Sequence, residues 1–136
     1  MKTAADTSVL VAAFASWHEQ HQTASAALER VDAVVAHALL ETYSVLTRLP
    51  APPRMLPAVV SKFLDLTCGR HAAFALTATE QRKLVATCAA RGLSGGAVYD
   101  AVIGATCVRA GLRLLTLDGR AQPTYAMVGA EHELLT

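Results

Sequence analysis

The sequence predicts an α/β fold: a mainly parallel sheet of about five strands, with helices on both faces in a three-layer arrangement. Two observations lead there. Short aliphatic and β-branched runs alternate with longer Ala-rich helical stretches, at intervals that fit βαβ units. Of the 136 residues, 53% are hydrophobic and only 17% charged, so the chain can bury a real core. The length suits a single domain spanning residues 1–136.

The elements follow in order. Lys2 to Asp6 is a brief segment that runs into Asp-Thr-Ser, where Thr7 or Ser8 is placed to cap a helix through Val9, Leu10 and Phe14. Thr23 to Val31 is helical, and Ala33 to Ala36 reads as a short buried strand. The helix His37 to Leu49 is ended by Pro50, and Pro52 and Pro53 stiffen the link that follows. Met55 to Leu66 is a further helix stopping at Gly69, and His71 to Leu76 is a strand. Thr77 or Thr79 starts the next helix, with Glu80 in its first turn and Gly92 closing it. Ser94-Gly95-Gly96 opens a helix from Ala97 to Arg109 that ends at Gly111. Leu112 to Leu117 is the clearest strand, a turn follows at Asp118-Gly119, and Tyr125 to Val128 is a last, weak strand.

A net charge of +1 argues against a strongly basic nucleic-acid wrapper. Nine of the twelve basic residues are Arg, which favours planar contacts with phosphate and so allows weak attraction to RNA. Cys68, Cys88 and Cys107 form no paired motif and sit among apolar residues, so they read as reduced core thiols. There is no signal peptide pattern and no apolar stretch approaching the ~20 residues of a membrane helix, so a cytoplasmic location is expected.

Four acids stand out. Asp6 and Asp118 each follow a predicted strand, at the edge where open α/β sheets bind ligands; each is equally placed to cap the next helix. Glu41 lies beside Val45 at the margin of its helix's apolar stripe, with Arg48 as the alternative structural partner. Asp100 is the only charged residue from Gly96 to Val108, on a helix that is small or apolar on every side and is therefore expected to be buried. A lone buried carboxylate needs protonation, an Arg or a metal. Four converging carboxylates without a His or Cys cluster suit Mg²⁺ or Mn²⁺ and phosphodiester hydrolysis by a metal-activated water.

These residues carry a resemblance. Ala5-Asp6-Thr7-Ser8-Val9-Leu10, Leu40-Glu41-Thr42, and Tyr99-Asp100-Ala101 leading through Gly111 to Leu115-Thr116-Leu117-Asp118 together resemble a PIN domain of the VapC toxin ribonuclease type. The likeness covers nearly the whole chain. It implies that Asp6, Glu41, Asp100 and Asp118 hold a metal or its waters, and that Ser8 and Thr116 support them by hydrogen bonds. It also implies an RNA substrate, a homodimer, and inhibition by a VapB-type antitoxin whose tail occupies the active-site groove. Ala121 departs from the pattern, since many relatives place an aromatic residue there; the departure touches packing more than chemistry.

Other residues are read more plainly. His18 and His21 share a helical spacing but lack a third zinc ligand. His37 reads as a helix-start surface residue within reach of substrate, and Trp17 as core or partner packing before a base-stacking platform. The loop from Pro50 to Pro53 and the helix Met55 to Leu66 are candidates for a dimer or antitoxin surface. A phosphoacceptor receiver domain is excluded because Asp6 stands alone and no Lys occurs beyond Lys83; an Asp-x-Asp phosphatase is excluded by Ser8. The remaining alternative is a PIN-fold protein that binds nucleic acid without cutting it, or that cuts DNA.

Overall fold

The computed structural model describes residues 1–50 and 55–136, so most of the Pro50–Pro53 link lies outside the described residues. Its strands are β1 (Lys2–Ala5), β2 (Ala33–Val35), β3 (Ala72–Phe74), β4 (Leu112–Thr116) and β5 (His132–Leu134), and every pairing among them is parallel. They form two ladders, β1-β4-β5 and β2-β3, where the sequence predicts one sheet. The two ladders meet at Asp32. Asp32 N–H donates to Thr3 O at 3.0 Å, but Thr3 N–H donates to Asp32 Oδ1 at 2.7 Å instead of to a main-chain carbonyl. β2 lies beside β1 at this junction without forming a ladder with it. The order across the layer is β3-β2-β1-β4-β5.

The helices are α1 (Thr7–Phe14), α2 (His21–Leu28), α3 (Ala36–Thr47), α4 (Pro57–Cys68), α5 (Ala78–Ala90), α6 (Ala97–Ala110) and α7 (Gln122–Met127). Adjacent residues on a strand face opposite sides of the sheet, and Leu114 and Leu115 are both fully buried, as are Val34 and Val35 nearly so. Both faces are therefore covered, as predicted for a parallel sheet. All three cysteines are free and buried, in line with their reading as reduced core thiols. Ala121 is buried in the main core, so the departure there is absorbed by packing. No helix of the described residues is long and apolar enough to cross a membrane.

The structure corrects four local expectations. Tyr125 to Val128 is not a strand: Tyr125 lies in α7, which Pro123 starts from its first turn, and the last strand is His132–Leu134. The β-propensity of Tyr and Val lost to a proline with its dihedral already set for a helix. α1 is capped by Asp6, whose Oδ1 accepts from Val9 N–H, and not by Thr7 or Ser8. α6 is not buried all round, because Tyr99 and Val108 are about half exposed. Trp17 is 51% exposed, which removes core packing from its two structural readings and leaves partner packing.

α6 and α7 meet closely at Gly104, where an added Cβ would stand 2.7 Å from Val128 Cγ2 and 3.1 Å from Tyr125 Cδ1. Gly104→Ala is expected to destabilise the fold by ~1–3 kcal/mol through overpacking. A lowered urea midpoint at unchanged slope is the expected result; an unchanged midpoint would contradict so close an approach.

Candidate active site

Because β1 and β4 are parallel neighbours in register, Ala5 opposite Leu115, the residues just past their carboxyl ends emerge side by side. Asp6 N–H donates to Leu115 O at 3.0 Å, which fixes the chain as it leaves β1. Asp118 follows β4 two residues on. α3 brings Glu41 and α6 brings Asp100 to the same strand-end edge, where an open cleft of 760 Å³ is lined by Asp6, Glu41, Asp100 and Asp118. The structure thus brings together all four acids singled out in the sequence.

Asp6 is the most enclosed, at 3% exposure. Ser8 Oγ donates to its Oδ1 at 2.5 Å, Val9 N–H donates to the same oxygen at 3.3 Å, and Tyr125 OH donates to Oδ2 at 2.7 Å. Burial pushes this carboxyl up, against the opposing pull of Ser8, Thr116, Tyr125 and the Val9 N–H. Tyr125 is Oδ2's one hydrogen-bond donor among the described residues, so that oxygen keeps a lone pair for a cation. The tyrosine's own proton is held well above the ordinary phenol range by burial and by Asp6. It stays a donor.

Ser8 and Thr116 tie the ends of the two strands together. Ser8 Oγ accepts from Leu117 N–H at 2.9 Å while donating to Asp6, and Thr116 Oγ1 accepts from Asp118 N–H at 3.0 Å. The two hydroxyls lie 3.4 Å apart. Ser8→Ala removes a donor from Asp6 and strands the Leu117 N–H, so a loss of ~1–3 kcal/mol in stability is expected. Residues that orient ligating groups commonly matter by roughly 10–100-fold in metal affinity or activity, and Ser8→Ala should show a cleavage loss of that order. Ser8→Thr, which restores the hydroxyl, should recover most of both; equal deficits in the two variants would contradict the hydrogen-bonding role.

Glu41 makes no ion pair with Arg48; Thr7 Oγ1 donates to its Oε1 at 2.5 Å. Asp118 Oδ1 caps the short turn after it by accepting from Arg120 N–H at 2.9 Å, and the Arg120 side chain lies a loose 3.7 Å away, almost fully exposed. Asp6 and Asp118 therefore do cap the segments that follow them, and they face the cleft as well. Asp100 is half-buried instead of buried outright. Its carboxyl is pushed up to about 6, first by burial and then by the charges of Asp118, Glu41 and Asp6. The three lesser contributions show that the carboxylates are close enough to repel one another.

The donor set fits a hard divalent cation: it is all oxygen, and among the described residues no close cation neutralises Asp6, Glu41 or Asp100. No three His, Cys, Asp or Glu side chains of the described residues close around a point by themselves. A cation that keeps several waters and takes one or two carboxylates directly has no need of such a cage. His18 and His21 form no metal site; their Nδ1 atoms pair with Gln20 N–H and Ala12 O. Two contributors escaped the sequence reading. The strand propensity around Tyr125 hides it, although Pro123 signals the helix that delivers it, and Thr7 reads from the sequence as a cap.

Residues 4–126 match the PIN domain family. The chain belongs to the PIN domain family. This PIN domain is of the VapC type, being similar to Ribonuclease VapC40 of Mycobacterium tuberculosis, with 49% identity over 98% of both chains. It is also similar to Ribonuclease VapC27 of the same species, with 37% identity over 93% of this chain and 91% of that one. Among solved structures, PAE2754 from Pyrobaculum aerophilum matches 97% of this PIN domain and 90% of its own chain, with a TM-score of 0.62 and 20% identity. FitAcB from Neisseria gonorrhoeae matches 96% and 95%, with a TM-score of 0.65 and 17% identity. At such identities the two structures bear on the fold.

Proposed function

We propose that this PIN domain is a divalent-metal-dependent endoribonuclease, the toxin of a VapBC-type pair, acting in the cytoplasm as one domain over residues 1–136. The observation that carries the reading is the convergence of Asp6, Glu41, Asp100 and Asp118 on one cleft, with the Asp100 carboxyl raised first by burial and then by the charges of the other three. The names of its VapC relatives support ribonuclease activity and an antitoxin partner.

Asp6, Glu41, Asp100 and Asp118 would hold Mg²⁺ or Mn²⁺, directly or through its waters, and Glu41 or Asp118 would orient the water that attacks. When bound, the cation supplies a more acidic water and neutralises charge developing at phosphorus. Ser8, Thr116 and Tyr125 fix Asp6 and Asp118 so that little reorganisation is needed when substrate arrives. In-line attack then leaves a 5′-phosphate and a 3′-hydroxyl. Single-stranded loops are the preferred targets because their backbone is accessible. The antitoxin's tail blocks the same cleft, and the protein works as a homodimer.

The test is cleavage of matched RNA and DNA hairpins with Mg²⁺, Mn²⁺ or EDTA. RNA cut only with metal, at the loop, is expected, and added VapB-type antitoxin should stop it. Preferential cutting of the DNA hairpin would overturn the ribonuclease reading, as would cutting in EDTA.

A further inference from the structure

A second hollow of 500 Å³ opens from the acid cleft, and Glu41, Val45, Arg48 and Gly96 line both. Its floor is an aromatic pair. The rings of His37 on α3 and Tyr99 on α6 stack at 5.2 Å between centroids with 15° between their planes, while Tyr99 remains 51% exposed. His37 Nε2 is buried with no hydrogen-bond partner, a cost that an apolar side chain at this place would avoid. The imidazole is thus poorly explained as packing. It does pack flat against the Tyr99 ring, half of whose surface stays open.

We infer that Tyr99, backed by His37, is a stacking platform for an unpaired nucleobase of the RNA strand, next to the phosphate that lies in the acid cleft. The inference rests on the ribonuclease reading and adds a specificity-determining residue to it. Continuity with the cleft is the first argument, since one strand can occupy both hollows without leaving the surface. Charge is the second. Arg48 makes no ion pair among the described residues and lies where the two hollows join, so it can meet the flanking phosphate or stack on the base. Preorganisation is the third, because a ring already held by a partner loses little freedom when a base lands on it. The role is one the exposed Trp17 does not fill, as Trp17 is not among the residues lining the acid cleft.

The test begins by mapping the bond that the wild-type protein cuts in short single-stranded RNAs of random sequence. The preferred RNA is then remade with an abasic site at each position flanking that bond. Base–aromatic stacking of ordinary strength predicts that Tyr99→Ala raises KM roughly tenfold with kcat nearly unchanged. Tyr99→Phe and Tyr99→Trp should keep wild-type KM. At one flanking position the abasic site should cost the wild type about as much as the mutation does, and cost Tyr99→Ala nothing further. Unchanged KM in Tyr99→Ala, or strictly additive losses at every position, would overturn the platform while leaving the nuclease intact. A changed oligomeric state of Tyr99→Ala on light scattering, at unchanged KM, would assign this face to a second copy and equally overturn it. Failure of the wild type to cut RNA with any divalent metal overturns the ribonuclease reading, and this inference with it.

Discussion

Asp100→Asn and Asp6→Asn are expected to reduce RNA cleavage by at least about 10²–10³-fold while leaving the fold intact, since each removes a carboxylate that would hold the cation on which the reaction depends. The amides should be tolerated for different reasons. At Asp100 the substitution removes a carboxyl raised by burial and then by Asp118, Glu41 and Asp6, so both the desolvation cost and the repulsion fall. At Asp6 the amide oxygen can still accept from Ser8 and Val9, and the amide nitrogen can donate to Tyr125 OH, which reverses its role. Circular dichroism and single-turnover cleavage separate the two effects. Full activity in either folded variant would refute the assignment of these acids.

The second large effect is on stability without metal. A carboxyl whose folded pKa lies above its unfolded value binds its proton more tightly when folded. Asp100 therefore favours the fold at low pH, and that advantage is lost as pH rises from 3.8 through about 6. The shift corresponds to ~3 kcal/mol at face value, reduced to ~1–2 kcal/mol because the group is partly solvated. In EDTA the wild type should lose this much relative to Asp100→Asn between about pH 4 and pH 7.5. Saturating Mg²⁺ or Mn²⁺ should reverse the deficit. At a hundred times its Kd a cation adds about 2.7 kcal/mol, or roughly 10 °C in melting temperature for a domain this size. Asp100→Asn should gain much less from metal. An equal gain in both proteins would show that the cation binds elsewhere.

The sequence analysis located the acids better than their supports. Asp100 was legible because a lone charge in an apolar helical run is costly, and Leu112–Thr116 because its aliphatic run is bounded by Gly111 and Asp118. Glu41 was legible from its place at the stripe's edge. Tyr125 was not, because propensity favoured a strand and its contact with Asp6 spans 119 positions of sequence. No periodic pattern carries such a pairing. The split between β1 and β2 was equally hidden, since the two short strands lie about thirty residues apart and no local pattern shows whether they pair. The His37–Tyr99 stack joins two helices far apart in the chain, so the sequence showed an isolated histidine and a tyrosine that figured only as the neighbour of Asp100.

The central claim is that the four-acid cleft is where a divalent cation binds. Its most direct test is titration of metal-free protein with Mn²⁺, followed by the electron paramagnetic resonance signal of the free ion. The wild type is expected to remove the free-ion signal with saturable binding, and Asp6→Asn and Asp100→Asn should each lose most of that affinity. Wild-type affinity in both variants would contradict the claim.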